Sequence, residues 1–253
     1  MTELKTELKT ELKTGLLAGL LCALAVPALA GPPYNVDNPG MADYQHIEEN
    51  TAYTTTSTPG TRSDQSSTEI NYGYSKNTQL TLASGVCSQR LTGSRPVSGM
   101  GDVGAEFKWR FREEDARSPG LALHYFLKVP TASAQMGLGT GRYDHALLLA
   151  VGKQFKRVYA FGNFGGSLPG APDERKNLVL GGAVSYQLTP VMTVGGQVYG
   201  NTSAAVGQPG DLSWGLAVTR DLLPGRTLML QVGRSTQGPS NLNVYAGVQF
   251  ILG

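Results

Sequence analysis

Cysteine is almost missing from this 253-residue chain, which holds only Cys22 and Cys87. Charge is thin as well, at 16% of residues and a net +2. That is too little for a disordered chain or a nucleic-acid partner. Long apolar runs are lacking, because the one candidate, Leu16 to Ala30, is fifteen residues where a spanning helix needs roughly 20. A helical membrane protein is therefore excluded. A mean hydropathy of −0.16 leaves open a membrane protein made of strands, since lipid-facing and lumen-facing residues alternate along each strand and cancel. What is abundant is glycine, 33 residues, near twice the usual share of about 7%.

The N-terminus joins Lys5, Lys9 and Lys13 to an apolar stretch, Leu16 to Val26, followed by Pro27 and the small-residue triplet Ala28-Leu29-Ala30. This is the layout of a secretory signal peptide. Residues 1–30 read as a leader cut after Ala30, 31–45 as an extended lead-in, and 46–253 as the folded unit. A Thr-Glu-Leu-Lys unit repeats three times between Thr2 and Lys13 and receives no role. Cys22 follows Leu21 rather than the small residue a lipoprotein signal requires, so an ordinary cleaved leader is expected. Only Cys87 remains after cleavage, and no intramolecular disulfide can form.

Beyond Tyr44 the chain alternates with period two, the pattern of strands. In Asn177 to Gln187 the even positions are Leu178, Leu180, Gly182, Val184 and Tyr186, and the odd ones are mostly small or polar. The pattern recurs through Met192 to Tyr199, Asp211 to Thr219, Thr227 to Gly233 and Leu242 to Phe250. Upstream it predicts strands near 46–55, 66–74, 77–87, 101–112, 119–129, 143–155 and 157–166. Twelve strands result, an even number as a closed outer-membrane barrel requires. The predicted fold is all-β, a transmembrane antiparallel β-barrel of about twelve strands. Connections at about 56–65, 88–100, 130–142, 167–176, 200–210 and 235–241 are each expected to hold seven residues or more, and those between them to be short. Such barrels alternate long external loops with short periplasmic turns in this way.

The two faces differ as lipid outside and water inside demand. In Gly101 to Arg112, an apolar row Val103, Ala105, Phe107, Trp109 and Phe111 opposes Asp102, Glu106, Lys108, Arg110 and Arg112. A charged row cannot share one hydrophobic core with an aromatic row without a large desolvation cost. The expected pore-lining residues are Glu69, Glu106, Lys108, Arg110, Arg112, His124 and Lys128, mixed in sign but leaning positive. Loop Pro130 to Arg142, with Gly137, Gly139 and Gly141, is the candidate constriction, since Pro130 stops a strand and the glycines let the chain bend back. Tyr72, Tyr74, Tyr143, Phe155, Tyr159, Tyr186, Tyr199 and Phe250 are expected in interfacial girdles.

Catalytic and metal chemistry find little support in the spacing. Gly137-Leu138-Gly139-Thr140-Gly141-Arg142 precedes a strand, whereas a phosphate loop opens a helix. His46, His124 and His145 show no paired metal spacing, and neither His124 nor His145 is followed by the Ser that a barrel lipid hydrolase places nearby. No enzyme, metal or cofactor is expected.

Several stretches together resemble one family. They are Gly99-Met100-Gly101-Asp102-Val103, Lys108-Trp109-Arg110-Phe111, Leu127-Lys128-Val129-Pro130-Thr131, Gly137-Leu138-Gly139-Thr140-Gly141, Tyr186-Gln187-Leu188-Thr189-Pro190, and Val194 to Gly200. Gly233-Arg234 and the opening Tyr34-Asn35-Val36-Asp37-Asn38-Pro39-Gly40 add to the likeness. The chain is similar to outer-membrane transporters of the "MetA-pathway of phenol degradation" family. That resemblance implies a Gram-negative outer-membrane channel for small solutes, aromatic ones among them, and no phenol-degrading site. The partners expected are outer-membrane lipid, the small-molecule solute and the insertion machinery, with no nucleic acid. The alternative reading is a non-conducting structural or surface-recognition barrel whose lumen is plugged by its own charges.

Overall fold

A computed structural model describes residues 31–205, 207–238 and 241–253. The leader, its cleavage after Ala30 and Cys22 lie outside the described residues. Among those described there is no helix. The strands are β1 (Ile47–Thr58), β2 (Thr61–Ser75), β3 (Thr78–Leu91), β4 (Val97–Met100), β5 (Val103–Arg112), β6 (Gly120–Val129), β7 (Asp144–Phe155), β8 (Val158–Leu168), β9 (Asn177–Thr189), β10 (Met192–Asn201), β11 (Asp211–Leu223), β12 (Arg226–Gln237) and β13 (Leu242–Leu252).

Every pairing between these strands is antiparallel, and β1 bonds to β13 from Ile47↔Leu252 to Ser57↔Leu242, so the sheet closes. The short β4 pairs only with β3 and continues the path of β5, which leaves a barrel of twelve strands. Closure leaves no free edge, so every ladder has its partner.

The apolar rows point outward. Leu178, Leu180, Leu82, Leu216 and Phe164 are all more than half exposed, while Asn71, Gln79, Thr81, Lys108, His124, Gln197 and Gln231 on the other face are buried inside the barrel. This inverse of a soluble protein is stable where lipid wets the outside and water or polar chain fills the inside. Of the expected girdle, Tyr72, Tyr74, Tyr143, Phe155 and Tyr186 are exposed. Tyr159 and Tyr199 instead face the lumen and pack against a buried cluster of Tyr34, Val36, Phe161, Ala183 and Ala217. They share the odd-numbered face of their strands with Asn163 and Gln197, which fixes their direction.

At the end carrying both barrel termini, four turns hold two residues each, and 113–119 is longer. Asp115 pins that longer turn by accepting the backbone N–H groups of Arg117 and Ser118, which hold its carboxyl below the usual range. At the opposite end the loops 130–143, 169–176 and 202–210 are long. The first connection is not, because β1 and β2 run on to meet at Pro59-Gly60 with Thr58 opposite Thr61. Gly60 takes a positive φ of 84° after a proline, the arrangement of a type II turn. The second connection shrinks to 92–96 and the last to 238–241. The physical reason is that the outer ends of β1, β2 and β3 carry polar residues on both faces, Thr54 to Ser57 and Thr61 to Ser67 among them. Alternation vanishes there although pairing continues.

Val184 sits mid-strand on the exposed row of β9, whereas Ser57 lies at the polar tip of β1. In bilayers, Val184→Arg should lower the unfolding free energy by about 2–4 kcal/mol, and Ser57→Arg should leave it nearly unchanged. Urea titration of the refolded protein in vesicles reads both, and equal effects would contradict the assigned belt.

Candidate functional site: a segment across the lumen

The lead-in 31–45 enters the barrel and crosses it. Gln197 of β10 offers its side-chain Oε1 to the backbone N–H groups of Asn35 at 2.7 Å and Val36 at 3.2 Å. On the other wall, Gln79 of β3 accepts the N–H of Ala42 at 2.7 Å. β3 and β10 stand six places apart in the ring of twelve, so the segment spans a diameter. Beyond it, Gln45 donates its N–H to the Gly73 carbonyl of β2, which leads the chain into β1. An extended segment leaves its amides unpaired unless the wall supplies acceptors, and these glutamines do so.

Between those anchors lies Asp37, 1% exposed. Its Oδ1 is 3.4 Å from Lys108 Nζ, and its Oδ2 is 2.6 Å from His124 Nδ1. Lys108 also donates to the Gly40 carbonyl at 3.3 Å. Glu106 completes the group, with Oε1 2.8 Å from His124 Nδ1 and 3.9 Å from Lys108 Nζ. The register explains the meeting: Glu106, Lys108 and His124 share the inner face of β5 and β6, and Lys108 stands opposite His124. Glu69 extends the polar wall by accepting from Asn50 at 3.1 Å and Asn71 at 2.8 Å. Asn71 Oδ1 in turn accepts from Gln79 and Thr81, which links this wall to the anchor of Ala42.

The facing wall is aromatic. The Tyr34 ring meets Phe161 edge-on at 5.2 Å, and Phe161 stacks with Tyr159 at 5.3 Å. Glycine makes the fit possible at two points. A Cβ on Gly181 would come within 2.7 Å of Val36 Cγ2, and one on Gly195 within 2.2 Å of the Tyr34 hydroxyl.

A second cluster lies toward the loop end. Lys128 reaches Asp102 at 3.6 Å, Thr140 Oγ1 at 3.1 Å and the carboxylate of Asp144. Asp102 also accepts the Ala132 N–H at 2.9 Å. These contacts fold part of loop 130–143 inward, and Leu138, 1% exposed, packs with Cys87 and Ala132.

The expected site residues thus divide. Glu106, Lys108 and His124 gather around Asp37, Glu69 lies on the adjoining polar wall with Asn50 and Asn71, and Lys128 belongs to the second cluster. Arg110 reaches the rim, donating to the Lys76 carbonyl and Glu113, and Arg112 is exposed beside turn 113–119. Arg110 keeps the register of the charged row, opposite Ala122 at its end, and the shift that follows carries Arg112 out of it. In the loop, Gly139 is buried beside Asp102, Gly137 and Pro130 are half-buried, and Gly141 and Arg142 are exposed. The expected positive lean is not found, because Asp37, Asp102 and Asp144 sit against the two lysines. Asp37 and Asp144 were missed for a simple reason: nothing local marks a lead-in or a strand's first residue as facing a lumen.

Neither protein-family models nor curated protein sequences match the chain. Solved structures do. One is an outer membrane channel from Pseudomonas putida F1, with TM-score 0.72 and 14% identity over 88% of this chain and 100% of that one. The NanC porin aligns with TM-score 0.55 and 11% identity over 80% and 98% of the two chains. The KdgM porin gives 0.54 and 12% over 79% and 98%. At these identities the likeness is one of fold.

Gly181→Leu should push Val36 off the wall without touching the ladders of the barrel. Hydrogen exchange at the amides of Asn35 and Val36 should accelerate by tenfold or more, and strand amides should keep their protection. Unchanged exchange at Asn35 and Val36 would contradict the seating of the segment.

Proposed function

We propose that this chain is an outer-membrane channel for small solutes, with its route narrowed by residues 31–45 and by the inward part of loop 130–143. The observation that carries the reading is the closed barrel with an apolar exterior and a polar interior crossed by its own N-terminal segment. An apolar outer surface of this extent has no stable place in water and fits a bilayer, which supports the reading of outer-membrane lipid and the insertion machinery as partners. The structural neighbours, a channel and two porins, support transport over catalysis. The family resemblance adds aromatic solutes to the candidates, and the ring-lined wall of Tyr34, Tyr159, Phe161 and Tyr199 offers them stacking surface.

The paired charges support a second reading, in which the segment is a fixed plug and the barrel does not conduct. A barrel of this size lies between side-chain-filled and open barrels, so conductance decides. Single-channel recording of the refolded mature protein should show small discrete steps, and removal of residues 32–43 should raise the unit conductance several-fold. Silence in the intact protein with steps only after truncation would favour the plug. Silence in both, with the barrel folded, would overturn the channel.

A further inference from the structure

We propose that Asp37, Glu106 and His124 form a binding site for one divalent transition-metal cation, zinc foremost, which bolts the N-terminal segment to the barrel wall. The three residues come from the lead-in, β5 and β6, and each offers one ligand atom within 4.8 Å of the other two. All are at least nine-tenths buried. Their facing atoms, Asp37 Oδ2, Glu106 Oε1 and His124 Nδ1, make no hydrogen bond, although the nitrogen lies 2.6 and 2.8 Å from the two oxygens. One ring nitrogen carries at most one proton and cannot give each of two carboxylates a full hydrogen bond. Buried acceptors with nothing to accept are costly, and a cation between them removes the cost.

One imidazole nitrogen with two carboxylate oxygens is a donor set that suits zinc and its neighbours, with water completing the shell. Lys108 does not occupy the place, because it approaches the other oxygen of Asp37 and donates to the Gly40 carbonyl. Two carboxylates against one ammonium leave the pocket net negative while the imidazole is neutral. Ligand atoms around tetrahedral zinc sit about 3.3 Å apart, so both carboxylates must draw back from His124 Nδ1 by roughly half an ångström, Glu106 by turning its side chain and Asp37 by moving with its segment. It belongs to no strand and is free of the ladder that would forbid this.

The test uses untagged, metal-stripped mature protein refolded in detergent, titrated calorimetrically with zinc chloride and, separately, with cobalt(II) read by visible absorption. One zinc ion per chain is expected. Glu106→Gln and His124→Gln should each weaken binding roughly tenfold or more, since even losing a ligand's supporting partner costs that much, and His145→Ala should not. Zinc should also slow amide exchange at residues 35–38. Heat-modifiable migration on gels verifies that each variant is folded, and Glu106→Gln keeps the shape of the side chain should His124→Gln fail. No zinc binding by folded protein, or binding indifferent to Glu106→Gln, would overturn the site. Conductance does not enter this experiment, so its failure leaves the channel reading standing.

Discussion

The structure turns on the charge cluster that joins Asp37 to Lys108, His124 and Glu106. Charges so deep in a protein are tolerable only in company, since removing one partner strands the others and costs about 3–5 kcal/mol. Without Asp37 and the Gly40 carbonyl of the segment, Lys108 would be left with Glu106 at 3.9 Å, beyond a hydrogen bond. The barrel wall and the N-terminal segment therefore complete each other: neither has its polar groups satisfied alone. This dependence explains why a segment with no secondary structure holds a defined path across a lumen.

The interior is also asymmetric in a way that suits a crossing chain. One wall, from β2 to β6, presents carboxylates, amides and an ammonium. The other, from β8 to β11, presents rings, small side chains and glycine around the amides of Asn163 and Gln197. Tyr34 and Val36 lie on the second wall and Asp37 on the first, so the segment's own alternation matches the walls it meets. The second cluster around Lys128 repeats the device at the loop end, where Asp102 and Asp144 hold the inward turn of loop 130–143. Both narrowings are built from a lysine on a wall strand and an acid that the strand pattern alone does not assign to it.

Much of the barrel was legible in the residues. Strict alternation in Asn177 to Gln187 or Gly101 to Arg112 needs only local geometry, and it set the twelve-strand fold and the inward direction of Glu69, Glu106, Lys108, His124 and Lys128. It failed where its physical cause lapses. At the polar tips of β1 to β3 both faces are wet, so the sequence pattern there is that of a loop. On β8 and β10, small residues on both faces blurred the direction of Tyr159 and Tyr199. The crossing of residues 31–45 left no local trace at all, because its partners, Gln79, Lys108, His124 and Gln197, are distant in the chain.

The central claim is that this segment occupies the lumen, and a disulfide trap measures it most directly. A Cβ built on Gly181 falls 2.7 and 3.3 Å from the two Val36 methyl carbons, the positions a cysteine sulfur at residue 36 would take, so a disulfide can bridge the pair. With Cys87 replaced by Ser, the Val36→Cys/Gly181→Cys pair should cross-link on mild oxidation of the folded barrel, and its thiols should resist a bulky maleimide before oxidation. Two thiols that label freely and do not join would contradict the account.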